Sequence, residues 1–429
     1  MPDDSRIPEA RAAAVDVLSS CIDQARPLFN LPAHRSVSGL SDPDRAFAAE
    51  IIYGTLRNLL RVDFLVDAHS AIKPERMDYR IRWILRISLY QLEFMSVPDY
   101  AVVDDAVRLS RHFGKSSASG FVNAVLRDFL RNRHPLPSGN SVSTLSIRYS
   151  HPKWLVKRYI SRHGVKAAKK IMRRNNVVPD SYVRINNNRI ETTDFCRRLE
   201  TEGLTYQLFP ELEGCLRIDQ RGFDRHQLYR EGFCFYMDYG SQMVASRVGV
   251  EPGMRIGDFC AAPGGKSFIL AEQALPGGFV LSADISSRRL RQMQLRLKHY
   301  EISNCALVRA DMEKSAPPAM DLDRILLDVP CSGLGTIRSN PDIRWLFREE
   351  NLEKNQGRQL KILENGFKAL AKGQLLFYTS CSSEPEENEQ VINEFLRREP
   401  SAVLRGEPLY TLVDQEEGEG FFLAALKKL

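Results

Sequence analysis

From about residue 236 to its end the chain repeats one pattern: a short apolar run, a turn of small residues, then an amphipathic helix. The apolar runs fall at 254–259, 279–283, 306–308, 324–327 and 375–378, and the helical stretches at 266–274, 286–300, 356–370 and 385–396. Strand alternating with helix has few solutions. Each helix carries the chain back to the starting end of the sheet, so the strands run mostly parallel and helices cover both faces. Such sheets bind ligands beyond the carboxyl ends of their strands. The residues that matter are therefore those where each run stops.

At 429 residues the chain exceeds one ordinary core, and three parts are expected. These are an all-α bundle over 1–137, a small basic α+β domain over 141–235 and an α/β Rossmann-like domain over 236–429. In the first part Phe121, Val122, Val125, Leu126, Phe129 and Leu130 share one helix face, and Ile84, Leu85, Leu89 and Leu92 another. Ala48, Ile52, Leu56 and Leu59 follow a helix-start signal at Ser41, Asp42, Pro43 and Asp44. Pro135, Pro137 and Gly139 mark a linker. In the middle part 154–174 predicts a basic helix, 182–185 a strand, and 193–202 a helix stopped by Gly203.

The net charge of +6 is unevenly spread: residues 138–250 hold 19 basic and 11 acidic side chains, and 148–174 hold no acidic one. The run reads either as a solvated helix face or as a footprint for nucleic-acid phosphates. Lys153, Lys157, Arg158, Lys169, Lys170, Arg173 and Arg174 are the candidate contacts. No uninterrupted apolar stretch is long enough for a membrane span. The opening Met1, Pro2, Asp3, Asp4 and Ser5 lacks the basic-then-apolar order of a secretory signal, so a cytoplasmic protein is expected. The eight cysteines are scattered and form no CxxC pair, so no metal is expected and the thiols should be reduced.

The first strand of the repeating part runs into Asp258, Phe259, Cys260, Ala261, Ala262, Pro263, Gly264, Gly265, Lys266 and Ser267. Small residues here let the backbone approach a ligand before the helix begins. A Walker A phosphate loop requires glycine where Cys260 stands, and the GxGxxG dinucleotide fingerprint is missing. Asp284 ends the second strand, placed to accept from ribose hydroxyls, and Asp311 ends the third, within reach of an adenine amino group. Either could instead cap a helix. Carboxylates after a glycine-rich loop suit a cationic nucleoside better than a pyrophosphate, which favours S-adenosylmethionine.

The fourth strand ends in Asp328, Val329, Pro330, Cys331, Ser332 and Gly333, and the fifth in Thr379, Ser380, Cys381, Ser382 and Ser383. Cys21, Cys196, Cys215, Cys234 and Cys305 read as small core residues. Cys331 and Cys381 differ, because both lie in polar loops on the ligand side of the sheet. Carbon 5 of cytosine barely reacts with a methyl sulfonium until a thiolate adds at carbon 6 and converts the ring to an enamine. Asp328, protonated, is suited to hydrogen-bond N3 of such a ring. Chemistry alone does not choose between the two cysteines as nucleophile.

Asp258 to Ser267, Asp328 to Gly335, and Thr379, Ser380, Cys381 and Ser382 followed by Pro385, Glu386, Glu387, Asn388 and Glu389 resemble the NOL1/NOP2/Sun RNA 5-methylcytosine methyltransferases. Pro341, Asp342, Ile343, Arg344 and Trp345 extend the match, which ends near Phe421. The first part resembles the NusB-like RNA-binding bundle through Asp44, Arg45, the Tyr53 to Arg57 segment, Leu89 to Leu92 and Phe121 to Arg127. His151, Pro152, Lys153 and Trp154, with Arg184, Ile185 and Asn186, fit the middle part. A NusB-like bundle joined to this Rossmann-like methyltransferase domain resembles the branch acting on bacterial small-subunit (16S) ribosomal RNA. The resemblance implies Cys381 as nucleophile, Cys331 in product release, Asp328 and Lys266 in the catalytic set, and S-adenosylmethionine as cofactor. It implies cofactor contacts from Cys260, Ala261, Ala262, Pro263, Gly264, Gly265 and Lys266, and from Asp284, Asp311 and Asp328. A monomer with no membrane or metal partner is expected. Met237, Val329 and Ser380 depart from the usual glutamine, alanine and threonine. The same chemistry on transfer RNA or another ribosomal site, a non-catalytic RNA-binding factor and a DNA cytosine methyltransferase are the alternatives.

Overall fold

The computed structural model describes residues 8–28, 31, 34–220, 222–317, 321–411 and 417–429; the opening Met1 to Ser5 lies outside them. Contacts group the chain into one unit of residues up to Val177 with Asn340–Phe347, and a second of Val178–Ser339 with Arg348–Leu429.

The first unit is helical: α1 (Glu9–Leu18), α2 (Asp42–Arg57), α3 (Leu59–His69), α4 (Tyr79–Phe94), α5 (Asp99–His112), α6 (Ser119–Arg131), α7 (Val142–Tyr149) and α8 (Lys153–Arg174). The start of α2 is capped as the sequence implies, with Ser41 Oγ accepting from the Asp44 amide at 3.3 Å. Ser141 caps α7 in the same way at 3.1 Å. Helix α4 forms the centre of the bundle: Trp83, Ile84, Leu85, Ile87 and Leu89 are wholly buried, so apolar residues face inward around most of its girth. Its buried Arg86 is paired bidentately with Asp63 at 2.6 and 2.9 Å. The apolar stripes read from sequence are the inner faces of α2, α4 and α6, except that Leu59, read with the first of them, opens α3.

The expected middle domain, 141–235, is divided by these contacts at Val177. Helix α7 packs on α3 and α8, and Ser150 Oγ accepts from the Leu60 amide at 2.9 Å, which ties this stretch to the bundle. Gly164 (φ 74°) is non-helical and kinks α8 there. The segment Asn340–Phe347 is built into the same unit. Its wholly buried Arg344 donates to the Ser150 carbonyl at 3.0 Å, Asn176 Oδ1 at 2.7 Å and the Asn175 carbonyl at 2.9 Å. Trp345 Nε1 donates to the Leu56 carbonyl at 2.9 Å.

The second unit opens with an antiparallel sheet of order β2-β3-β1-β4, from β1 (Tyr182–Ile185), β2 (Tyr206–Leu208), β3 (Cys215–Ile218) and β4 (Cys234–Tyr236). Helices α9 (Thr192–Thr201) and α10 (Gln227–Arg230) accompany it. Val183, Ile185, Phe195, Leu199 and Leu216 fill its core.

After α11 (Tyr239–Ser246) the strand–helix repeat begins: β5 (Arg255–Phe259), α12 (Gly265–Gln273), β6 (Phe279–Asp284), α13 (Ser287–His299), β7 (Cys305–Arg309) and β8 (Leu322–Asp328). The short helix of the segment described above is α14 (Ile343–Leu346). There follow α15 (Asn351–Ala369), β9 (Leu370–Ser380), α16 (Glu389–Arg398), β10 (Ala402–Leu404), β11 (Leu409–Tyr410) and β12 (Phe422–Lys428). The sheet order is β10-β12-β9-β8-β5-β6-β7, with β11 paired to β12. Strands β9, β8, β5, β6 and β7 are parallel, as the repeat requires, while β12 is antiparallel to β9. The five expected strands all form. The added antiparallel edge, β10 to β12, carries no strand–helix signature and was not anticipated. Among the described residues no helix is long and apolar enough to cross a membrane.

Candidate active site

The parallel register aligns the ends of β5, β6, β7, β8 and β9, and the loops leaving them enclose a cavity of about 280 Å³. Cys260, Ala262, Asp284, Asp311, Asp328, Cys331 and Cys381 all line it. Residues from Cys260 to Cys381 are thus brought together by strand order rather than by proximity in the chain.

The β5 loop is held tightly. Cys260 adopts a left-handed conformation (φ 64°), and the Ala261 amide donates to the Ala283 carbonyl at 2.9 Å. Gly264 (φ 100°) begins α12; a Cβ there would lie 2.8 Å from the Phe268 ring and 2.9 Å from Met293, so glycine is required on both counts. Asp284 is 1% exposed and makes three bonds: from the Ala262 amide at 3.3 Å, the Ser286 amide at 2.8 Å and Arg289 at 3.0 Å. It therefore braces the β5 loop and the turn into α13 while one edge lines the cavity. Asp311 accepts from the Glu313 amide at 3.2 Å. Neither aspartate is a helix cap: Ser286 caps α13, and only a turn follows Asp311.

Lys266 and Asp328 form an ion pair at 2.8 Å, and the ammonium also lies 5.1 Å from the centre of the Phe421 ring. Burial alone would depress this lysine, but Asp328, Asp258 and Cys381 together outweigh it and raise its pKa. Lys266 reaches the site through this pair; Ala261, Pro263, Gly264 and Gly265 shape the loop without lining the cavity.

Cys331 Sγ and Cys381 Sγ are 3.0 Å apart. The Val329 amide donates to the Thr379 carbonyl at 3.0 Å, and the Gly335 amide to the Cys381 carbonyl at 2.9 Å, which lays the two loops side by side. Gly335 permits this approach, since a Cβ there would overlap the Gly420 carbonyl. Cys331 is pushed well above the ordinary thiol range by its hydrogen bond to Cys381, by burial and by the charges of Cys381 and Glu387. Cys260 is raised by burial. Of the departures noted in the sequence, Ser380 Oγ donates to Asn388 Oδ1 at 2.6 Å, while Val329 and Met237 are buried. Cys21, Cys196, Cys215 and Cys234 are buried as expected, and Cys305 is half-buried on β7.

Sequence reasoning missed Ile285, Arg289, Ala310, Met312, Glu313, Arg358 and Ile362, which complete the cavity wall. Only Arg289 carried a signal, one turn beyond Asp284 on a helix that starts there. On α8, Lys153, Lys157, Lys170 and Arg173 are exposed, and Arg158, Lys169 and Arg174 half-buried. Lys169 Nζ donates to Asn140 Oδ1 at 2.6 Å, and the Arg173 guanidinium lies 5.7 Å from the Tyr149 ring. Lys166, also exposed, was not singled out.

Four carboxylates, of which Asp284 is paired with Arg289 and Glu313 with Arg358, stand beside an apolar wall of Ile285, Met312 and Ile362 and fit a nucleoside that carries a positive charge. The comparisons with known proteins agree. Residues 248–427 match the family model for 16S rRNA methyltransferase RsmB/F, residues 8–131 that for the NusB family, and residues 151–223 that for the ferredoxin-like domain of RsmF/B-like methyltransferases. Ribosomal RNA small subunit methyltransferase B of Salmonella arizonae is 30% identical over 430 residues, covering 97% of this chain and 98% of its own. The protein of the same name from Klebsiella pneumoniae is 31% identical over 435 residues, again covering 97% and 98%. Among solved structures, PH0851 shares the fold at a TM-score of 0.83 and 21% identity, covering 99% of both chains. A methyltransferase homologue from Pyrococcus horikoshii does so at 0.59 and 26%, covering 68% of this chain and all of its own. With the cavity's carboxylates, its paired cysteines and relatives matched along nearly its whole length, the chain belongs to the ribosomal RNA small subunit methyltransferase B (RsmB) family, whose methyl donor is S-adenosylmethionine.

Proposed function

We propose that this chain methylates carbon 5 of a cytosine in small-subunit (16S) ribosomal RNA, with Cys381 as nucleophile and Cys331 assisting release. The observation that carries the reading is the pair of sulfurs 3.0 Å apart on the wall of a cavity that also holds Asp284, Asp311 and Asp328. The names of the relatives support the substrate. S-adenosylmethionine, when bound, supplies a methyl group made electrophilic by its sulfonium. The chain's own part is to make carbon 5 nucleophilic. The Cys381 thiolate adds to carbon 6, and the displaced electron pair turns the ring into an enamine. Asp328 meets N3 and passes it a proton drawn from Lys266, 2.8 Å away, so negative charge does not build up on the ring.

After carbon 5 is methylated, its remaining proton leaves to solvent and the bonding pair re-forms the C5–C6 double bond. The C6–S pair returns to Cys381, and the N3 proton goes back to the Asp328–Lys266 pair. The Cys331 thiol donates a hydrogen bond to the departing sulfur. In this reading the helical bundle and the basic middle stretch bind RNA, residues 236–429 carry the chemistry, and the protein works in the cytosol on reduced thiols.

The test is Cys331→Ala on a ribosomal RNA substrate with S-adenosylmethionine. A denaturation-resistant protein–RNA complex should accumulate, and turnover should fall roughly 100-fold, the size of a positioned proton donor. Normal turnover without a trapped complex would remove the role given to Cys331.

A further inference from the structure

Beneath the two cysteine loops lies a carboxylate to which the reaction above gives no task. Glu387, in the turn Pro385–Glu387 between β9 and α16, is 0% exposed. Its Oε1 accepts from the Ser332 amide at 2.8 Å, Asn355 Nδ2 at 2.8 Å and Gln359 Nε2 at 3.2 Å, and its Oε2 from Ser332 Oγ at 2.5 Å. A buried carboxylate is costly unless donors surround it. Here two donors belong to the residue after Cys331 and two to α15. Gln359 Nε2 also reaches the Pro330 carbonyl at 3.1 Å, so both flanks of Cys331 are held. Ser332 Oγ lies 3.1 Å from Ser382 Oγ, which joins this brace to the residue after Cys381.

All four donors are neutral, so they satisfy the carboxylate's lone pairs without cancelling its charge. That charge sits beside Cys331. The other titratable groups around Cys331 are Tyr378 on β9 and Cys381 just past its end, with Asp328 and Arg358 across the cavity wall.

We propose that Glu387 is a positioning residue that divides the work between the two cysteines. It fixes the turn 330–333 so that Cys331 meets Cys381, and its uncancelled charge disfavours a second negative charge on Cys331. Cys331 is left as hydrogen-bond donor and Cys381 as thiolate. The bond to Cys381 and burial raise the Cys331 thiol most, and the charge of Glu387 adds to the rise. The inference rests on the methylation reading for what the sulfurs do to a base, but the order in which they ionise does not.

The test uses the full chain without RNA. Iodoacetamide alkylation of Cys331 and Cys381 is followed by peptide mass spectrometry from about pH 6 to about pH 10, the span in which thiols ionise. In the unaltered chain Cys381 should be alkylated at lower pH than Cys331. Glu387→Gln, equal in size and uncharged, should raise the Cys331 rate about tenfold near pH 8, equivalent to one pKa unit. Glu387→Asp, which keeps the charge, should preserve the order of the two thiols. Equal reactivity in the unaltered chain overturns the proposal whether or not a variant folds, and so does an unmoved Cys331 profile in a folded Gln variant. Failure of RNA capture bears on the methylation reading alone.

Discussion

Asp258 shows how a single strand-end side chain serves the site at a cost to the fold. It is wholly buried at the end of β5 and accepts from Ser267 Oγ at 2.5 Å, while its Oδ1 has no hydrogen-bond partner. Burial pushes its pKa from 3.8 up to about 7, with Asp328 and Asp284 adding to the rise and Ser267 and Lys266 opposing it. Between those two values the folded chain binds more protons than the unfolded one, so stability falls as pH rises through that window. Asp258→Asn should therefore match the unaltered chain near pH 4 and exceed it by roughly 4 kcal/mol near pH 8, about 1.4 kcal/mol for each pKa unit between 3.8 and about 7. Urea titration at both pH values checks this; a pH-independent difference would contradict it. At this scale the sequence was readable where residues end strands, as Asp284, Asp311, Asp328, Cys331 and Cys381 do. Glu387 stands in the motif after Cys381, but its partners, like Gln359 and Arg358 as parts of the site, were not readable, because they lie on other elements and only packing brings them together.

At the scale of elements, alternation of strand and helix disclosed the five parallel strands, because each was bounded by a turn signal. It did not disclose where α15 ends and β9 begins: Ala369 is the last helical residue and Leu370 the first in the strand, with no glycine or proline between them. The antiparallel edge escaped for another reason. β12 is held by its pairing with β9, β10 and β11, a long-range preference that its own composition does not announce. Helix α8 was read correctly as basic, but the break at Gly164 was not expected. The exposed Lys153, Lys157, Lys170 and Arg173 lie on both sides of that break. Replacing these four with glutamine should weaken ribosomal RNA binding and reduce the slope of log K against log salt by about 0.7–0.9 for each phosphate no longer neutralised. A filter-binding salt titration checks this, and an unchanged slope would make the helix face merely solvated.

At the scale of the whole molecule, the least legible feature is the segment Asn340–Phe347. In sequence it follows Cys331 closely and reads as part of the catalytic match, yet its contacts belong to the helical unit. The reason is Arg344: a wholly buried guanidinium must find several acceptors, and it finds them at Ser150, Asn175 and Asn176, more than 160 residues away in the chain. No local pattern reports such a partner. One chain thus holds a NusB-family bundle and a methyltransferase core, and an assay on RNA needs both. The most direct measurement is covalent capture of 5-fluorocytosine-containing ribosomal RNA by the full chain with S-adenosylmethionine, since fluorine at carbon 5 blocks the final elimination. The unaltered protein should form a complex that survives denaturation, and Cys381→Ala should form none. Undiminished capture by Cys381→Ala would contradict the account.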